Sequence, residues 1–214
     1  SVWSEKFGVR ILEGYGATET APVLAVNTPL AYSAGTVGQF LPGIETRVLP
    51  VPGIERGGLL HVRGPNIMSG YYRHEHPGVL EPPASEAGPG WYCTGDIVEI
   101  DNNGFVRIVG RVKRFAKVAG EMVSLEVVEQ IARHASPAAA HAATAITDPQ
   151  RGEAIVLVSS DPDISREALQ HAGRELGHAA IALPRKIVHV TELPLLGTGK
   201  LDYVAIHKLA EQAP

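Results

Sequence analysis

The spacing of hydrophobic and polar residues changes once along the chain. Up to about residue 110, short apolar segments are separated by glycine and proline, which predicts strands bounded by turns. From about residue 113, apolar residues recur at helical spacing between short continuous apolar segments, which predicts alternating helices and strands. The predicted fold is therefore α+β, with a β-rich part in residues 1–112 and a small α+β part in residues 113–214.

The first part contains several apolar segments that predict strands. They are Val9–Leu12, Glu45–Val51, Leu59–Arg63, Ile97–Ile100 and Phe105–Val109. The last two flank the sequence DNNG at Asp101–Gly104, and its Asn-Gly pair favours a tight hairpin turn. The segment His74–Gly90 has four prolines and no periodicity, so we expect a long surface loop there.

The second part combines helical patterns with short apolar strand patterns. Ser124 can cap a helix that runs to about His134, and Ser165 can cap a second helix that ends at Gly177. A last helix is expected to begin near Asp202. The predicted strands are Ala142–Thr147, Ala154–Ser159 and Lys186–Val190.

Composition limits the class of protein. The chain of 214 residues is 44% hydrophobic and 20% charged with a net charge of −4, which is ordinary for a globular protein. This charge offers no general attraction for nucleic acid or for an anionic membrane surface. No apolar run reaches the roughly 18 residues of a membrane-spanning helix. The single cysteine, Cys93, excludes an internal disulfide bond and fits a reducing cytoplasm.

The sequence GYGATET, which begins at Gly14, groups residues that suit a nucleotide. Gly14 and Gly16 would let the backbone approach a ligand closely, because glycine has no Cβ. Tyr15 offers a flat ring to a base, Thr18 a hydroxyl to a phosphate, and Glu19 an oxygen to Mg²⁺. The alternative is a glycine turn with an exposed tyrosine, and this segment alone does not decide between the two.

Three further segments carry candidate chemistry. Asp96 ends the sequence WYCTGD, where its carboxylate could accept hydrogen bonds from both hydroxyls of a ribose or could cap a turn. The stretch from Arg107 to Lys117 is basic. A solvated edge would explain this charge, but it would not explain why the stretch lies at the boundary between the two parts of the chain. Lys200 follows Gly-Thr-Gly in a flexible loop. A P-loop is excluded, because the required spacing is absent and Leu201 follows the lysine.

In order and spacing, these four segments resemble the adenylate-forming enzymes, which include acyl-CoA synthetases, luciferases and the adenylation domains of peptide synthetases. The shared motifs are Tyr-Gly-x-Thr-Glu, Tyr-x-Thr-Gly-Asp, Gly-Arg-x-Lys and a late Gly-Lys, and they cover nearly the whole chain. The resemblance implies that residues 1–112 are the last portion of a large adenylation domain, with a distorted barrel-like sheet. Residues 113–214 would be its complete small C-terminal domain.

The resemblance also implies roles for individual residues. Those implied to bind ATP or AMP are Gly14, Tyr15, Gly16, Asp96 and Arg111. Those implied in catalysis are Thr18 at the α-phosphate, Glu19 at Mg²⁺ and Lys200 at the acyl carboxylate and the α-phosphate. The tyrosine ring would stack on adenine, and the aspartate and the arginine would hold the ribose. Lys113 would be the hinge on which the small domain swings between acyl-adenylate formation and thioester formation.

Within the family, the sequences VPGIERGG, GPNIMSGYY and PLLGTGK look most similar to bacterial acyl-acyl-carrier-protein synthetases joined to a 2-acylglycerophosphoethanolamine acyltransferase. This implies a fatty acid substrate, the thiol of acyl carrier protein as acceptor, and action at the cytoplasmic face of the inner membrane through upstream segments. CoA is the alternative acceptor. A non-catalytic module that binds a nucleotide or a carrier protein is the alternative class. Because acyl carrier proteins are acidic, Arg114 and Lys117 could steer their docking.

Two signatures of the resembled proteins are absent from the sequence. The Ser/Thr/Gly-rich phosphate loop of the family should lie before Glu13, and no such segment is present there. The acyltransferase motif His-x-x-x-x-Asp is also missing, since none of the nine histidines has an aspartate five residues later. We therefore expect the chain to be the C-terminal portion of a longer protein and to have little or no ligase activity by itself.

Overall fold

A computed structural model describes residues 2–213 of the chain. The chain forms two compact units, Ser1–Val112 and Lys113–Pro214. Strands predominate and the helices are few, so the predicted α+β class is confirmed. Within the described residues, no helix is long and apolar enough to cross a membrane. The assignment of the two units to a large and a small domain of one enzyme family stays a prediction.

The first unit is built from short antiparallel strands. Its elements are α1 (Val2–Phe7), β1 (Gly14–Tyr15), β2 (Ala25–Val26), β3 (Gln39–Phe40), β4 (Glu45–Leu49), β5 (Gly58–Arg63), β6 (Tyr71–Tyr72), β7 (Leu80–Glu81), β8 (Ala84–Ser85), β9 (Gly88–Pro89), β10 (Tyr92–Ile100) and β11 (Val106–Arg111). One sheet has the order β1-β2-β3, a second has the order β11-β10-β5-β4, and β6–β7 and β8–β9 are separate pairs. The end strands of the second sheet, β11 and β4, do not pair with each other, so the barrel-like form implied by the resemblance is not a closed barrel in the described residues.

The predicted hairpin at Asp101–Gly104 is confirmed. The Asp101 side chain accepts hydrogen bonds from the backbone N–H groups of Asn103 and Phe105, both at 2.9 Å. Gly104 has a φ of +81°, which strongly favours glycine. The turn joins β10 to β11 as an antiparallel pair.

The strand predicted over Val9–Leu12 is wrong. These residues have no regular secondary structure, and the exposed fractions of Val9 and Ile11 are 51% and 49%. A strand is stabilised by backbone hydrogen bonds to a neighbouring strand. In the described part of the chain, no strand lies beside this segment. The apolar pattern was therefore not sufficient for a strand, because the segment has no neighbouring strand to bond with.

The segment His74–Gly90, predicted as a surface loop, is largely exposed but holds β7, β8 and β9. Its end is attached to the second sheet of the first unit. Arg47 on β4 donates a hydrogen bond to the carbonyl of Ala87 at 2.7 Å. The guanidinium groups of Arg47 and Arg63 lie 4.4 and 4.8 Å from the ring centroid of Trp91, which is buried. These cation–π contacts stabilise the attachment, and the local sequence does not predict them.

The second unit is a mixed sheet with three helices in its described residues. Its elements are β12 (Phe115–Val118), β13 (Glu121–Ser124), α2 (Leu125–Ala135), β14 (His141–Asp148), β15 (Gly152–Ser159), α3 (Arg166–Glu175), β16 (Lys186–His189) and α4 (Tyr203–Gln212). The sheet order is β13-β12-β15-β14, and β16 runs parallel to β15. One buried cluster joins α2 and α3 to the sheet, and a second cluster joins α4 to β14 and β15 through Ile206.

The predicted helices of the second unit are confirmed. At the start of α3, the hydroxyl of Ser165 accepts a hydrogen bond from the N–H of Ala168 at 3.2 Å. At the start of α4, Asp202 accepts two backbone hydrogen bonds from the first turn, each 3.1 Å long. Ser124 precedes α2, as predicted, but its side chain makes no capping hydrogen bond in the described structure.

The sequence analysis assigned no strands to residues 115–124, where the structure has the β12–β13 hairpin. Its turn consists of Ala119 and Gly120, whose φ angles are +51° and +91°. Two positive φ angles are typical of a type I′ turn, which suits glycine or asparagine. Alanine is disfavoured there because its Cβ approaches the following carbonyl oxygen. The N–H of Ala119 also donates to the carbonyl of Arg151 at 2.9 Å, which holds the turn in place.

We expect the substitution Ala119→Gly to stabilise the second unit. Relief of the left-handed strain should exceed the extra unfolded-state entropy of glycine, for a net gain of about 0.5 kcal/mol. The measurement is the urea midpoint of unfolding. Ala138→Gly is the matched control, because Ala138 is exposed in a turn and is not among the positive-φ residues. A loss of stability in Ala119→Gly equal to that of the control would contradict this account.

Candidate functional site

Tyr15 and Asp96 are 81 residues apart in sequence and in direct contact in the first unit. Tyr15 lies on β1, and its ring packs against a buried core drawn from both sheets. Asp96 lies in the middle of β10, next to Gly95, whose φ is +75°. The pairing of β10 with its neighbours is irregular on both sides of this point. Such bulges change the direction of a side chain, which places Asp96 beside the tyrosine.

The carboxylate of Asp96 is the centre of the candidate site. It is 5% exposed, and its Oδ2 accepts a hydrogen bond from the Tyr15 hydroxyl at 2.5 Å. Its Oδ1 accepts one from Nε of Arg111 at 3.0 Å. The backbone N–H of Asp96 donates to the hydroxyl of Thr94 at 3.1 Å. A carboxylate offers about four acceptor positions, so each oxygen can still accept a further donor, such as a ribose hydroxyl.

The environment of Tyr15 keeps its hydroxyl protonated. Burial raises the pKa of the Tyr15 hydroxyl, and its hydrogen bond to Asp96 raises that pKa further. The phenol is therefore a fixed hydrogen-bond donor at neutral pH. The Arg111 side chain is 71% exposed, so the guanidinium that pairs with Asp96 stays accessible to a ligand.

Glu19 provides a second carboxylate in the same unit. It lies in the 3₁₀ turn Thr18–Thr20, and its Oε1 accepts a hydrogen bond from the hydroxyl of Tyr71 at 2.8 Å. The pKa of Glu19 is lowered, first by a hydrogen bond from its own backbone N–H and then by Tyr71, and the charge of Arg111 adds to this. Glu19 is therefore an anion at neutral pH.

The residues around Glu19 fit a Mg²⁺ ion held jointly with a nucleotide. The carboxylate accepts hydrogen bonds from the Tyr71 hydroxyl and from its own backbone N–H, and its remaining acceptor positions could bind a metal ion. Among the described residues, no group of three or more His, Cys, Asp or Glu could hold a metal. Mg²⁺ commonly uses one protein carboxylate together with phosphate oxygens and waters, which matches a single Glu19. Thr18 is exposed, and its hydroxyl makes no hydrogen bond to a described residue.

The two glycines of the GYGATET segment differ in how much space a side chain would have at their positions. A Cβ added at Gly16 would lie 1.6 Å from the carbonyl oxygen of Pro22, so this position excludes any side chain. A Cβ at Gly14 would meet its neighbours at ordinary contact distances, 3.5 Å and beyond. Gly16 is therefore required for packing of the chain against itself. The predicted approach of both glycines to a nucleotide stays a prediction.

Tyr71 and Tyr92 belong to the site, and the sequence analysis did not assign them. Burial, followed by the nearby charge of Glu19, raises the pKa of Tyr92. Both tyrosines line a cavity of about 330 Å³ together with Arg73, Glu81 and Cys93. No spacing rule connects Tyr71 with Glu19, which lie 52 residues apart, so only the tertiary structure reveals this contact.

Lys200 lies in the second unit, at a loop closed by a bridge between Leu195 and Leu201. The N–H of Leu196 donates to the carbonyl of Lys200 at 2.7 Å, and Gly199 has a φ of +78°. The lysine side chain is exposed and forms no salt bridge with a described residue. The loop therefore presents a cation on a defined turn, and the glycine allows that turn.

The basic stretch at the start of the second unit does not act as one surface. Lys113, in the turn Val112–Arg114, and Lys117 are exposed. The Arg114 side chain is only 13% exposed and donates hydrogen bonds to Glu129 and to a backbone carbonyl. The prediction that Arg114 steers a carrier protein is therefore wrong, because its charge is used inside the unit. The hinge role of Lys113 stays a prediction.

The second unit also has an open cavity of about 340 Å³ that the sequence analysis did not foresee. Three arginines line it, Arg151, Arg166 and Arg185, beside an apolar wall that includes Ile155 and Leu183. Arg185 forms a salt bridge with Asp148, whereas the side chain of Arg151 is exposed. Guanidinium groups match phosphate geometry, and the three arginines outnumber Glu153, the carboxylate in the lining, so this cavity suits an anionic ligand with an apolar part.

Comparisons with known proteins agree with this geometry. Residues 1–72 match the AMP-binding enzyme family. The chain is 32% identical over 209 residues to the long-chain-fatty-acid–CoA ligase of Salmonella typhimurium, covering 93% of this chain and 36% of that ligase. It is 30% identical over 211 residues to the 3-hydroxybenzoate–CoA/4-hydroxybenzoate–CoA ligase of Thauera aromatica, covering 94% of this chain and 39% of that one.

Solved structures extend the comparison. ATP-bound MatB from Rhodopseudomonas palustris matches with a TM-score of 0.76 at 28% identity, covering 98% of this chain and 42% of that one. The o-succinylbenzoate CoA synthetase MenE from Bacillus subtilis, in complex with its acyl-adenylate intermediate, matches with a TM-score of 0.75 at 25% identity, covering 99% and 43%. The chain belongs to the adenylate-forming superfamily of AMP-binding enzymes. It spans little more than a third of the length of the curated relatives, 36% in the case of the Salmonella ligase.

Proposed function

We propose that the protein containing this chain is an ATP-dependent acid–thiol ligase that activates a carboxylic acid as an acyl-adenylate. The observation that carries the proposal is the convergence of Tyr15 and Arg111 on the buried carboxylate of Asp96. This contact joins three of the family's sequence motifs in one site. The relatives are named as acyl-CoA ligases, and the matched structures of MatB and MenE contain ATP and an acyl-adenylate, which supports the same ligands here.

In the proposed first step, a carboxylate oxygen of the acid attacks the α-phosphorus of ATP, and pyrophosphate leaves with the electrons of the broken P–O bond. Both reactants are anions, so the site must position them and offset their repulsion. Asp96 would accept hydrogen bonds from the ribose hydroxyls, and the ring of Tyr15 would stack on adenine. The hydroxyl of Thr18 would donate a hydrogen bond to the α-phosphate. Mg²⁺, held by Glu19 and phosphate oxygens, would neutralise part of the phosphate charge.

In the proposed second step, a thiol sulfur attacks the acyl carbonyl carbon, AMP leaves, and the thiol proton passes to solvent. Lys200 would contact the acyl carboxylate and the α-phosphate in the first step only. A thiol needs access to the same acyl carbon, so the lysine loop must move away between the steps. A few backbone torsions at Lys113 could provide that motion.

The proposed acid is a fatty acid, and two thiol acceptors are supported by different observations. The resemblance of short segments to acyl-acyl-carrier-protein synthetases supports acyl carrier protein as the acceptor. It also supports action at the cytoplasmic face of a bacterial inner membrane. The names of the relatives support CoA. The cavity lined by Arg151, Arg166 and Arg185 also favours CoA, because its phosphates are anionic and compact enough to enter. Because the Arg114 side chain is largely buried and paired with Glu129, the carrier alternative loses one of the two cations assigned to docking.

Acid-dependent exchange of labelled pyrophosphate into ATP tests the proposed function in the protein expressed from the complete reading frame. Exchange should require a fatty acid, and AMP release should follow when a thiol acceptor is added. The same assay without acid is the control. Absence of exchange across short-, medium- and long-chain fatty acids would contradict the proposal.

The charge reversal Arg151→Glu separates the two acceptors. If CoA phosphates enter the arginine-lined cavity, we expect its KM to rise about tenfold, because a favourable charge becomes a repulsive one. The KM for acyl carrier protein should change less than twofold. Arg133→Glu, on the exposed side of α2, is the matched control. An unchanged KM for CoA in the Arg151 variant would remove the cavity from the acceptor site.

A further inference from the structure

The residue after the predicted hinge points into the second unit. Lys113 is exposed, whereas the side chain of Arg114, its neighbour in the same 3₁₀ turn, is 13% exposed. A largely buried arginine is unusual, because removing a guanidinium from water is costly unless its donors are satisfied. The contacts that satisfy Arg114 lie on elements far from it in sequence, so they tie the turn to the rest of the unit.

Arg114 and Glu129 together hold one residue of β14, Ala143, by its carbonyl and its N–H. Nη1 of Arg114 donates to the carbonyl of Ala143 at 2.8 Å, and Nη2 donates to Oε1 of Glu129 at 2.5 Å. The same Glu129 oxygen accepts the N–H of Ala143 at 2.9 Å. Glu129, on α2, is itself 5% exposed. The three groups form a closed network in which the turn, α2 and β14 each supply a partner.

The network extends to the segment that carries Lys200. The guanidinium of Arg114 lies 4.0 Å from the ring centroid of Tyr203, the first residue of α4, and the Tyr203 hydroxyl lies 3.4 Å from Glu129. The residue before it, Asp202, caps α4, and its N–H donates to the carbonyl of Pro194 at 2.9 Å. Tyr203 therefore contacts Arg114 and Glu129 directly, and it is joined to the lysine loop through the neighbouring Asp202, which bonds to Pro194.

Stability alone does not account for this cluster. A buried ion pair is often no more stabilising than apolar residues of the same volume, since desolvation offsets the attraction. Apolar side chains at these positions would leave the relative orientation of the turn, α2 and α4 less defined. They lack the directed hydrogen bonds of a guanidinium group and its stacking on an aromatic ring. The network connects the Lys113 turn with the segment that carries Lys200. Such directional contacts are expected where the distance and orientation between these two parts must stay fixed.

We propose that Arg114 is a positioning residue that fixes the Lys200 loop relative to the Lys113 turn through Glu129 and Tyr203. The inference rests on the proposed function, in which Lys200 serves the adenylation step. With the network intact, a reorientation at Lys113 carries the lysine loop as a rigid part of the second unit. With the network broken, the loop takes several positions, and the lysine amine is misplaced for catalysis even when the unit is folded.

Hydrogen exchange measured on this chain tests the coupling without any enzyme activity. The amide of Leu196 bonds to the carbonyl of Lys200 and reports on the loop, and the amide of Leu169 in α3 serves as the internal reference. In Arg114→Met we expect exchange at Leu196 to rise about tenfold relative to Leu169. Arg133→Met is the matched control and should leave the ratio unchanged. A purely structural role would accelerate both amides together.

Tyr203 supplies a second route if Arg114→Met does not fold. Tyr203→Leu removes the ring under the guanidinium and should also raise the Leu196-to-Leu169 ratio, whereas Tyr203→Phe keeps the ring and should preserve the ratio. In the complete enzyme, Arg114→Lys keeps the charge but loses the fork. It should lower acid-dependent pyrophosphate exchange about tenfold and leave thiol transfer from preformed acyl-adenylate within about twofold.

The outcomes separate the inference from the proposed function. An unchanged Leu196-to-Leu169 ratio in both Arg114→Met and Tyr203→Leu overturns the coupling, whatever the enzyme does. Equal loss of both half-reactions in Arg114→Lys also overturns it. If the unsubstituted enzyme shows no pyrophosphate exchange, the proposed function fails, while the exchange ratio still reports on the coupling within the second unit.

Discussion

Lys200→Ala should lower acid-dependent pyrophosphate exchange at least about 100-fold and leave thioester formation from preformed acyl-adenylate within about twofold. The first step brings two anions together, and a preorganised cation at the developing charge typically contributes a factor of this size. Lys200 is exposed on a defined turn, so its removal leaves no cavity and no unpaired buried group. The effect should therefore appear in rate and not in stability. Single-turnover assays of the two half-reactions, with a thermal melt of each variant, make this measurement.

Lys208→Ala is the control for that experiment. Lys208 is an exposed lysine on α4, in the same unit, and should leave both half-reactions unchanged. Lys200→Arg keeps the charge with a different donor geometry and should recover only part of the rate. If Lys200→Ala slowed both half-reactions equally at unchanged melting temperature, the assignment of the lysine to the adenylation step would be wrong.

Asp96→Asn should weaken ATP binding about 30-fold. The carboxylate accepts from Tyr15 and Arg111 and has a further position on each oxygen for a ribose hydroxyl. An amide keeps one acceptor oxygen and presents an NH₂ donor where the other stood. One ribose hydroxyl therefore loses its acceptor, and the charge that strengthens both bonds is gone, at a cost of about 2 kcal/mol. The KM for ATP in the exchange assay provides the measurement.

Asp101→Asn is a close control, because it makes the same chemical change in the turn that follows the same strand. Asparagine can still accept from the two backbone N–H groups that Asp101 caps, so we expect the KM for ATP to stay unchanged. An equal effect of both substitutions would show that the loss at Asp96 comes from the sheet and not from a nucleotide site.

Local features of the fold followed from the sequence wherever the deciding interaction is between residues close in the chain. The hairpin at Asp101–Gly104 depends on a side chain that caps its own turn and a glycine with positive φ. The caps at Ser165 and Asp202 bond to N–H groups of the next turn. The same reasoning failed for Val9–Leu12, because a strand also depends on a distant neighbour.

The motifs of the candidate site were readable in the sequence, since each is a short run of residues with suitable chemistry. The sequence made Tyr15 and Asp96 candidates for binding a nucleotide through their own chemistry, and Arg111 and Lys200 candidates for the site through the resemblance to the adenylate-forming enzymes. Only the tertiary structure decided that the first three share hydrogen bonds, that Tyr71 binds Glu19, and that the Arg114 side chain is largely buried against Glu129. The physical reason is that these contacts join residues many positions apart, and their energies depend on burial and direction, which appear once the chain has packed.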